Sequence, residues 1–205
     1  MFDKARLIGA LERLGEDLLA RGLFMELAIY GGRAIVLQFD WRRSTEDVDA
    51  VVREGYDEQA PERRAKKWIP VFRQPGALSK SCRASVLAVA RQMGLDDDWL
   101  NNAVGMYTPP RKSDDLFSVS GNYPTAGTPG LRVLTAKPRY LLAMKLRALR
   151  NIDRGDKDLE DARALSSHLA IRDEGELRAL YLSIHGEEPH WEASSRFRSV
   201  LSQGA

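Results

Sequence analysis

Two aspartates set two residues apart, Asp47-Val48-Asp49, open an apolar run that continues to Val52. In a strand, residues two apart project to one side, so Asp47 and Asp49 share a face and Val48 takes the other. Two carboxylates on one strand face repel each other unless something positive lies between them. A divalent metal is the usual answer, since Mg²⁺ takes one or two carboxylates together with phosphate oxygens of a substrate. Upstream, an apolar strand from Leu27 to Tyr30 ends in Gly31-Gly32 and leads into a helix over Arg33 to Phe39. The competing reading is an edge strand with an acidic solvated face, and the glycine pair weighs against it.

A second group with chemical potential lies far along the chain. Leu141, Leu142, Ala148 and Leu149 form the apolar stripe of a helix expected over 138–150, and Lys145 falls in the middle of that stripe. An ammonium facing a core is costly unless it is paired or meets an anion. The alternative is a lysine that snorkels past the edge of the core to water. On the next helix, expected over 156–169, Asp158 and Asp161 are in phase with Ala162 and Leu165, while Glu160 and Arg163 point away. Acids in a first helical turn also favour the helix dipole, which accounts for Asp156 and Asp158 better than for Asp161. A Lys145 paired with Asp158 or Asp161 would satisfy both charges. Spacing leaves open whether that pair is a strut or part of a phosphate site.

The elements that must position these residues read as follows. A helix spans 3 to 21, with Asp3 as N-cap, a stripe through Leu7, Ala10, Leu11, Leu14, Leu18 and Leu19, and Gly22 as its stop. Strand, glycine pair, helix and acidic strand come next. The charged segment Asp57 to Lys67 is expected as a helix ended by Pro70, its basic residues either a patch for a polyanion or a solvated face. A helix over 79–93 stops at Gly94, and Asp96 to Asp98 cap a further short helix through Trp99, Leu100 and Val104. Residues 105–130 read as a long loop or hairpin with one strand candidate, Leu116 to Ser120; residues 130–135 form another strand. From Pro138 the chain is expected to be all-helical, with helices at 138–150, 156–169, 174–185 and 190–202.

Composition sets bounds. A chain of 205 residues can bury a proper core. No apolar run approaches the roughly 20 residues that span a bilayer, and the first twenty residues, with Asp3, Glu12, Glu16 and Asp17 interspersed, resemble neither a signal nor a transit peptide. One cysteine excludes an internal disulfide and cysteine-based zinc sites, so the expected location is the cytoplasm, with no membrane partner. Cys82 reads as a packing residue, and His168, His185 and His190 are too scattered for a zinc site. A net charge of +2 gives no global basic field for nucleic acid.

With its pieces in this order, the chain resembles the DNA polymerase β-like nucleotidyltransferase superfamily, whose signature is Gly-Gly or Gly-Ser, a helix, then Asp-x-Asp on the next strand. The fuller stretch GGRAIVLQFDWRRSTEDVD is similar to the AbiEii-type toxin branch, in which an arginine and a Ser or Thr precede the acidic pair; Arg43 and Thr45 fill those places. LLAMKLRALR followed by DKDLEDARAL resembles that branch's later lysine helix and D-x-x-D helix. Gly94 to Asn101 also resembles uncharacterised nucleotidyltransferase-like families associated with toxin–antitoxin pairs.

The resemblance implies an α/β (α+β) fold: a small mixed sheet in a core over 1–136, then a helical C-terminal part over 137–205 packed on it. It implies that Gly31 and Gly32 approach the triphosphate of an NTP, that Asp47 and Asp49 hold Mg²⁺, and that Arg43 and Thr45 contact phosphates. Lys145 would neutralise nucleotide charge, with Asp158 beside it, and Asp161 would orient it or assist the incoming hydroxyl. The acceptor would be a tRNA 3′ end, a protein hydroxyl or a small molecule, and a cognate antitoxin would be the partner. One departure stands out. Polymerase-type members carry a third carboxylate on a later strand, and neither strand candidate after residue 115 holds an acid. The expected function is a Mg²⁺-dependent nucleotidyltransferase, a toxin of a toxin–antitoxin or phage-defence pair. The alternative is a catalytically inactive protein of the same fold that binds a nucleotide or a partner protein. A helical DNA-binding module is a third reading, without a recognition-helix signature behind it.

Overall fold

All five residues of β1 (Met25–Ile29) are buried, and the reason is pairing along both of its edges. On one side β1 runs antiparallel to β2 (Val48–Arg53), with Ile29 opposite Ala50. On the other it runs parallel to β6 (Leu131–Ala136), with Ile29 opposite Thr135. β3 (Trp68–Pro70) and β5 (Phe117–Tyr123) extend the sheet to the order β3-β2-β1-β6-β5, and the two-residue β4 (Leu100–Asn101) pairs parallel with the start of β2. The sheet is mixed and the chain is α/β, as its sequence implies. This computed structural model describes residues 3–41, 48–53, 68–70, 79–101, 114–151 and 156–202. It divides into two compact units, residues 1–105 with 117–135, and residues 106–116 with 136–205.

In the first unit, α1 (Lys4–Ala20) starts where expected: the Asp3 carboxylate accepts from the Arg6 amide at 2.7 Å. Its buried face is Leu7, Ala10, Leu11, Leu14 and Leu18, a heptad-like stripe. α2 (Gly31–Gln38) follows β1 directly. α3 (Lys80–Met93) is capped by the Ser79 hydroxyl and ends at Gly94, whose φ of 60° is the left-handed stop a glycine provides. In the second unit, α4 (Pro138–Ala148) touches α5 (Lys157–His168), α6 (Glu174–His185) and α7 (Trp191–Ser194), and α8 (Phe197–Leu201) lies against α5 and α6.

Four expectations are corrected. The short helix expected through Trp99 and Leu100 is instead a turn and β4. The Trp99 indole is buried and donates to the Val86 carbonyl at 3.1 Å, and the Trp99 carbonyl accepts from the Val48 amide at 2.6 Å, which commits this backbone to the sheet. Pro70 ends no helix here but closes edge strand β3, the one place in a sheet where a missing N–H is harmless. The strand expected from Leu116 starts after a 3₁₀ turn, Asp114–Leu116. The helix expected over 190–202 is two short ones, broken at Ser195 and Arg196, whose guanidinium turns to the Leu149 carbonyl at 3.3 Å. The segment Asp57 to Lys67 lies outside the described residues.

Two features of these units make measurable claims. A Cβ on Gly15 would collide with the Tyr123 carbonyl and come within 2.8 Å of the Pro124 nitrogen, so α1 lies against the end of β5 by backbone contact. Gly9 on the same helix meets only the Met93 methyl at 3.9 Å. Gly15→Ala is therefore expected to destabilise by about 1–3 kcal/mol through overpacking, while Gly9→Ala stabilises by about 0.5–1 kcal/mol through helix propensity; urea unfolding of the two variants reads both.

The second feature is His185, buried at the end of α6, with Nε2 3.0 Å from the Ala143 carbonyl and Nδ1 3.2 Å from an Arg147 guanidinium nitrogen. Those partners suit a neutral ring that donates from Nε2 and accepts at Nδ1. Burial, together with Arg147, lowers the His185 pKa below 6.5, outweighing the Ala143 carbonyl and Glu187, which raise it. Below that pH the unfolded chain takes up a proton that the fold resists, so stability is full above it and falls as the pH drops. The melting temperature should decline more between pH 7.5 and 5 in the wild-type protein than in His185→Gln; equal slopes would contradict this account.

Candidate functional site

The glycine pair sits where a phosphate site needs it. β1 ends at Ile29, and Gly31 takes φ +59° as the first residue of α2. A side chain at that position would be strained, so glycine is required there. The first amides of a helix have no partner within it, and the residue before them, Tyr30, supplies no side-chain cap. Helix α2 thus starts at the sheet end, with the positive end of its dipole there.

The acidic strand reaches the same sheet end. Because β2 is antiparallel to β1 and Ile29 faces Ala50 as the last pair of the ladder, the register continued by one step sets Asp49 opposite Tyr30, one residue from Gly31. Val48 and Ala50, on either side of Asp49, are both fully buried. Parallel pairing with β4 sets Asn101 in register with Asp49, and Asn101 is itself buried, donating to the Asp98 carbonyl at 3.2 Å. Asp47, Arg43 and Thr45 lie outside the described residues. Among the described residues there is no cluster of three or more His, Cys, Asp or Glu side chains that could hold a metal.

Parallel pairing brings the C-terminal ends of β1 and β6 together, and the residue opposite Ile29 is Thr135, 2% exposed. No residue of β5 or β6 is acidic. Asp114 and Asp115 belong to the 3₁₀ turn that precedes β5.

Lys145, Asp158 and Asp161 meet inside the second unit. The Lys145 ammonium lies 2.5 Å from an Asp158 oxygen and 2.8 Å from an Asp161 oxygen. Their exposures are 8%, 4% and 5%, so the lysine does not snorkel to water. The helix-phase argument selected these three, and α4 and α5 join through them. Gly31, Gly32 and Asp49 belong to the first unit and this triad to the second.

Two buried polar groups escaped the sequence reading. Arg33, the third residue of α2, is 1% exposed. A cation directly after the glycines in an otherwise apolar stretch was the available signal, because a guanidinium does not shed its charge when buried. Glu26 on β1 is 4% exposed and pairs with Arg132 of β6 at 3.6 Å, the residue opposite it in register. An alternation count over MELAI had no way to flag it.

The chain matches no protein-family model, no curated protein and no solved structure.

The triad makes a claim about stability. Lys145→Met leaves two buried carboxylates beside each other without their cation, and the cost of breaking such a group is about 3–5 kcal/mol. Chemical denaturation should show a loss of that size. A loss below about 1 kcal/mol, the value of an exposed pair, would mean that the triad opens to water in solution.

Proposed function

We propose that this protein is a Mg²⁺-dependent nucleotidyltransferase that moves a nucleoside monophosphate from an NTP to a macromolecular acceptor, tRNA or protein, and acts as the toxin of a toxin–antitoxin or phage-defence pair. One observation carries the reading: a left-handed Gly31 opens a helix at the end of β1, and the register of β2 sets Asp49 beside it. A glycine turn alone is weak evidence, and so is Asp-x-Asp alone. Their meeting at one sheet end is what a triphosphate with its metal would use.

The residues present suit that metal. Asp47 and Asp49 offer hard carboxylate oxygens, the donors Mg²⁺ prefers. When bound, the ion supplies charge neutralisation along the phosphates. In this reading the amides of Gly31, Gly32 and Arg33 bind the phosphate oxygens, and Arg43 and Thr45 add side-chain contacts. Lys145, with its ammonium already held by Asp158 and Asp161, fits a positioning strut better than a cation free to bind phosphate.

The absence of an acid on β5 and β6 favours a second reading, a catalytically inactive protein that binds the nucleotide or a partner protein such as an antitoxin. Two measurements separate the possibilities. Thermal stabilisation by each NTP with Mg²⁺ should be present in the wild-type protein and lost in Asp47→Asn/Asp49→Asn. Transfer of label from an α-³²P-NTP onto total RNA or total protein should appear with the first and vanish with the second. Stabilisation without transfer supports the inactive reading, and stabilisation that survives the double substitution sinks both.

A further inference from the structure

The second unit carries a cavity of about 470 Å³ between the end of α5, the turn after it and α8. That volume lies within the range of small-molecule sites. Arg163 and Arg172 both line it, with Ser167 and Ser202, against an apolar wall that includes Ile171 and Val200. No acidic side chain among the described residues lines it. Two guanidinium groups without a counter-charge give the cavity a local positive field on a chain whose net charge is only +2.

One of the two guanidinium groups is held in place, and both have donors left over. Arg163 reaches from α5 to α8 and is anchored by its Nε, which donates to the Ser199 carbonyl at 2.7 Å. That bond leaves both terminal nitrogens of the fork without another hydrogen bond among the described residues. Arg172 spends its backbone amide on Glu176 at 2.8 Å, and its guanidinium makes no ion pair among the described residues. The helix end that borders the cavity is closed. Ile171 donates to the Ser166 carbonyl at 3.0 Å and Ala170 to the Ser167 carbonyl at 3.1 Å, so the carbonyls of this terminus are occupied and oppose an anion less than an open end would.

This closure contains an anomaly. Ala170 occupies the left-handed position of the helix stop at φ 54°, where glycine is the favoured residue, and it is the one non-glycine residue with positive φ among those described. A strained alanine at a cavity wall points to a use for its methyl group there, as apolar surface against a ligand.

We propose that this cavity binds a phosphomonoester with a small apolar body. Two guanidinium forks and the Ser167 hydroxyl offer more donors than the two oxygens of a carboxylate use well, and they match the three terminal oxygens of a phosphomonoester; the Ser202 hydroxyl donates to the Arg198 carbonyl at 2.9 Å and only lines the wall. Ile171, Val200 and the Ala170 methyl take the apolar body. The site is separate from the glycine turn of the first unit and does not depend on the nucleotidyltransferase reading.

The test is isothermal titration of the full chain without Mg²⁺, using phenyl phosphate, inorganic phosphate and benzoate. Phenyl phosphate should bind most tightly, inorganic phosphate more weakly, and benzoate least. Arg172 is exposed, and Arg172→Gln should weaken phenyl phosphate at least about tenfold, the value of one charged hydrogen bond; Arg163→Gln should do the same, with circular dichroism to check the fold of both variants. Ala170→Gly should keep the phosphate preference and narrow the gap between phenyl phosphate and inorganic phosphate. No heat with phenyl phosphate at millimolar concentration overturns the proposal. So does binding that Arg172→Gln leaves unchanged, because the phosphate would then sit elsewhere, the Gly31 turn included.

Discussion

Pairing of β1 along both edges is the constraint from which the first unit follows. A five-residue strand buried throughout has no room for a gradual exit, so the chain must reverse within one or two residues after Ile29. Gly31 in the left-handed region makes that turn, and α2 begins on the same residue. The antiparallel partner then delivers Asp49, and the parallel partner Thr135, to the same end of the sheet. The start of α2 and the acidic strand therefore come to one sheet end as consequences of one strand's hydrogen bonding.

The second unit handles buried charge in another way. Lys145 is enclosed with two carboxylates between α4 and α5, where aliphatic side chains of similar volume would often hold two helices together as well or better. Ions kept in such a place serve specificity: a lysine that must meet both Asp158 and Asp161 permits only one rotation and one slide of α5 along α4. His185 does similar work between α6 and α4, as a neutral ring with both nitrogens engaged. Helices with few β-branched residues and ordinary apolar stripes would otherwise have several packings of near-equal energy.

What could be read from the sequence follows from how local each cause is. α1 was legible because its cap and its stripe both lie within its own residues: Asp3 and Leu7 to Leu18 behave as read, while Leu19, expected in the same stripe, is exposed because it falls past the edge of the buried face. Lys145 with Asp158 and Asp161 was legible because helical phase is a local property that still reports on burial. β3 and β4 were not. Two or three residues carry no period, and Leu100 joins a sheet only because Val48 is there to accept it. Arg33 and Glu26 were missed for a related reason. A single buried charge is decided by its surroundings in three dimensions, and pattern counts treat it as noise. The cavity lined by Arg163 and Arg172 was invisible for the same reason, since α8 joins it only through the break at Ser195 and Arg196.

The threonine at the end of β6 bears on what the proposed reaction can use. In-line attack on an α-phosphorus requires the acceptor hydroxyl to lose its proton, and a carboxylate at the Thr135 position would be the natural base. A buried threonine hydroxyl cannot take that role at neutral pH; it can only donate or accept a hydrogen bond. The proton must then leave to solvent or to Asp47 or Asp49. If Asp47 and Asp49 held a metal they would be weak bases, and transfer by this route would be slow for an ordinary ribose hydroxyl. A protein built this way gains nothing as a polymerase, where each step repeats thousands of times. Slow transfer is sufficient for a toxin, because one modification per target molecule ends the target's use.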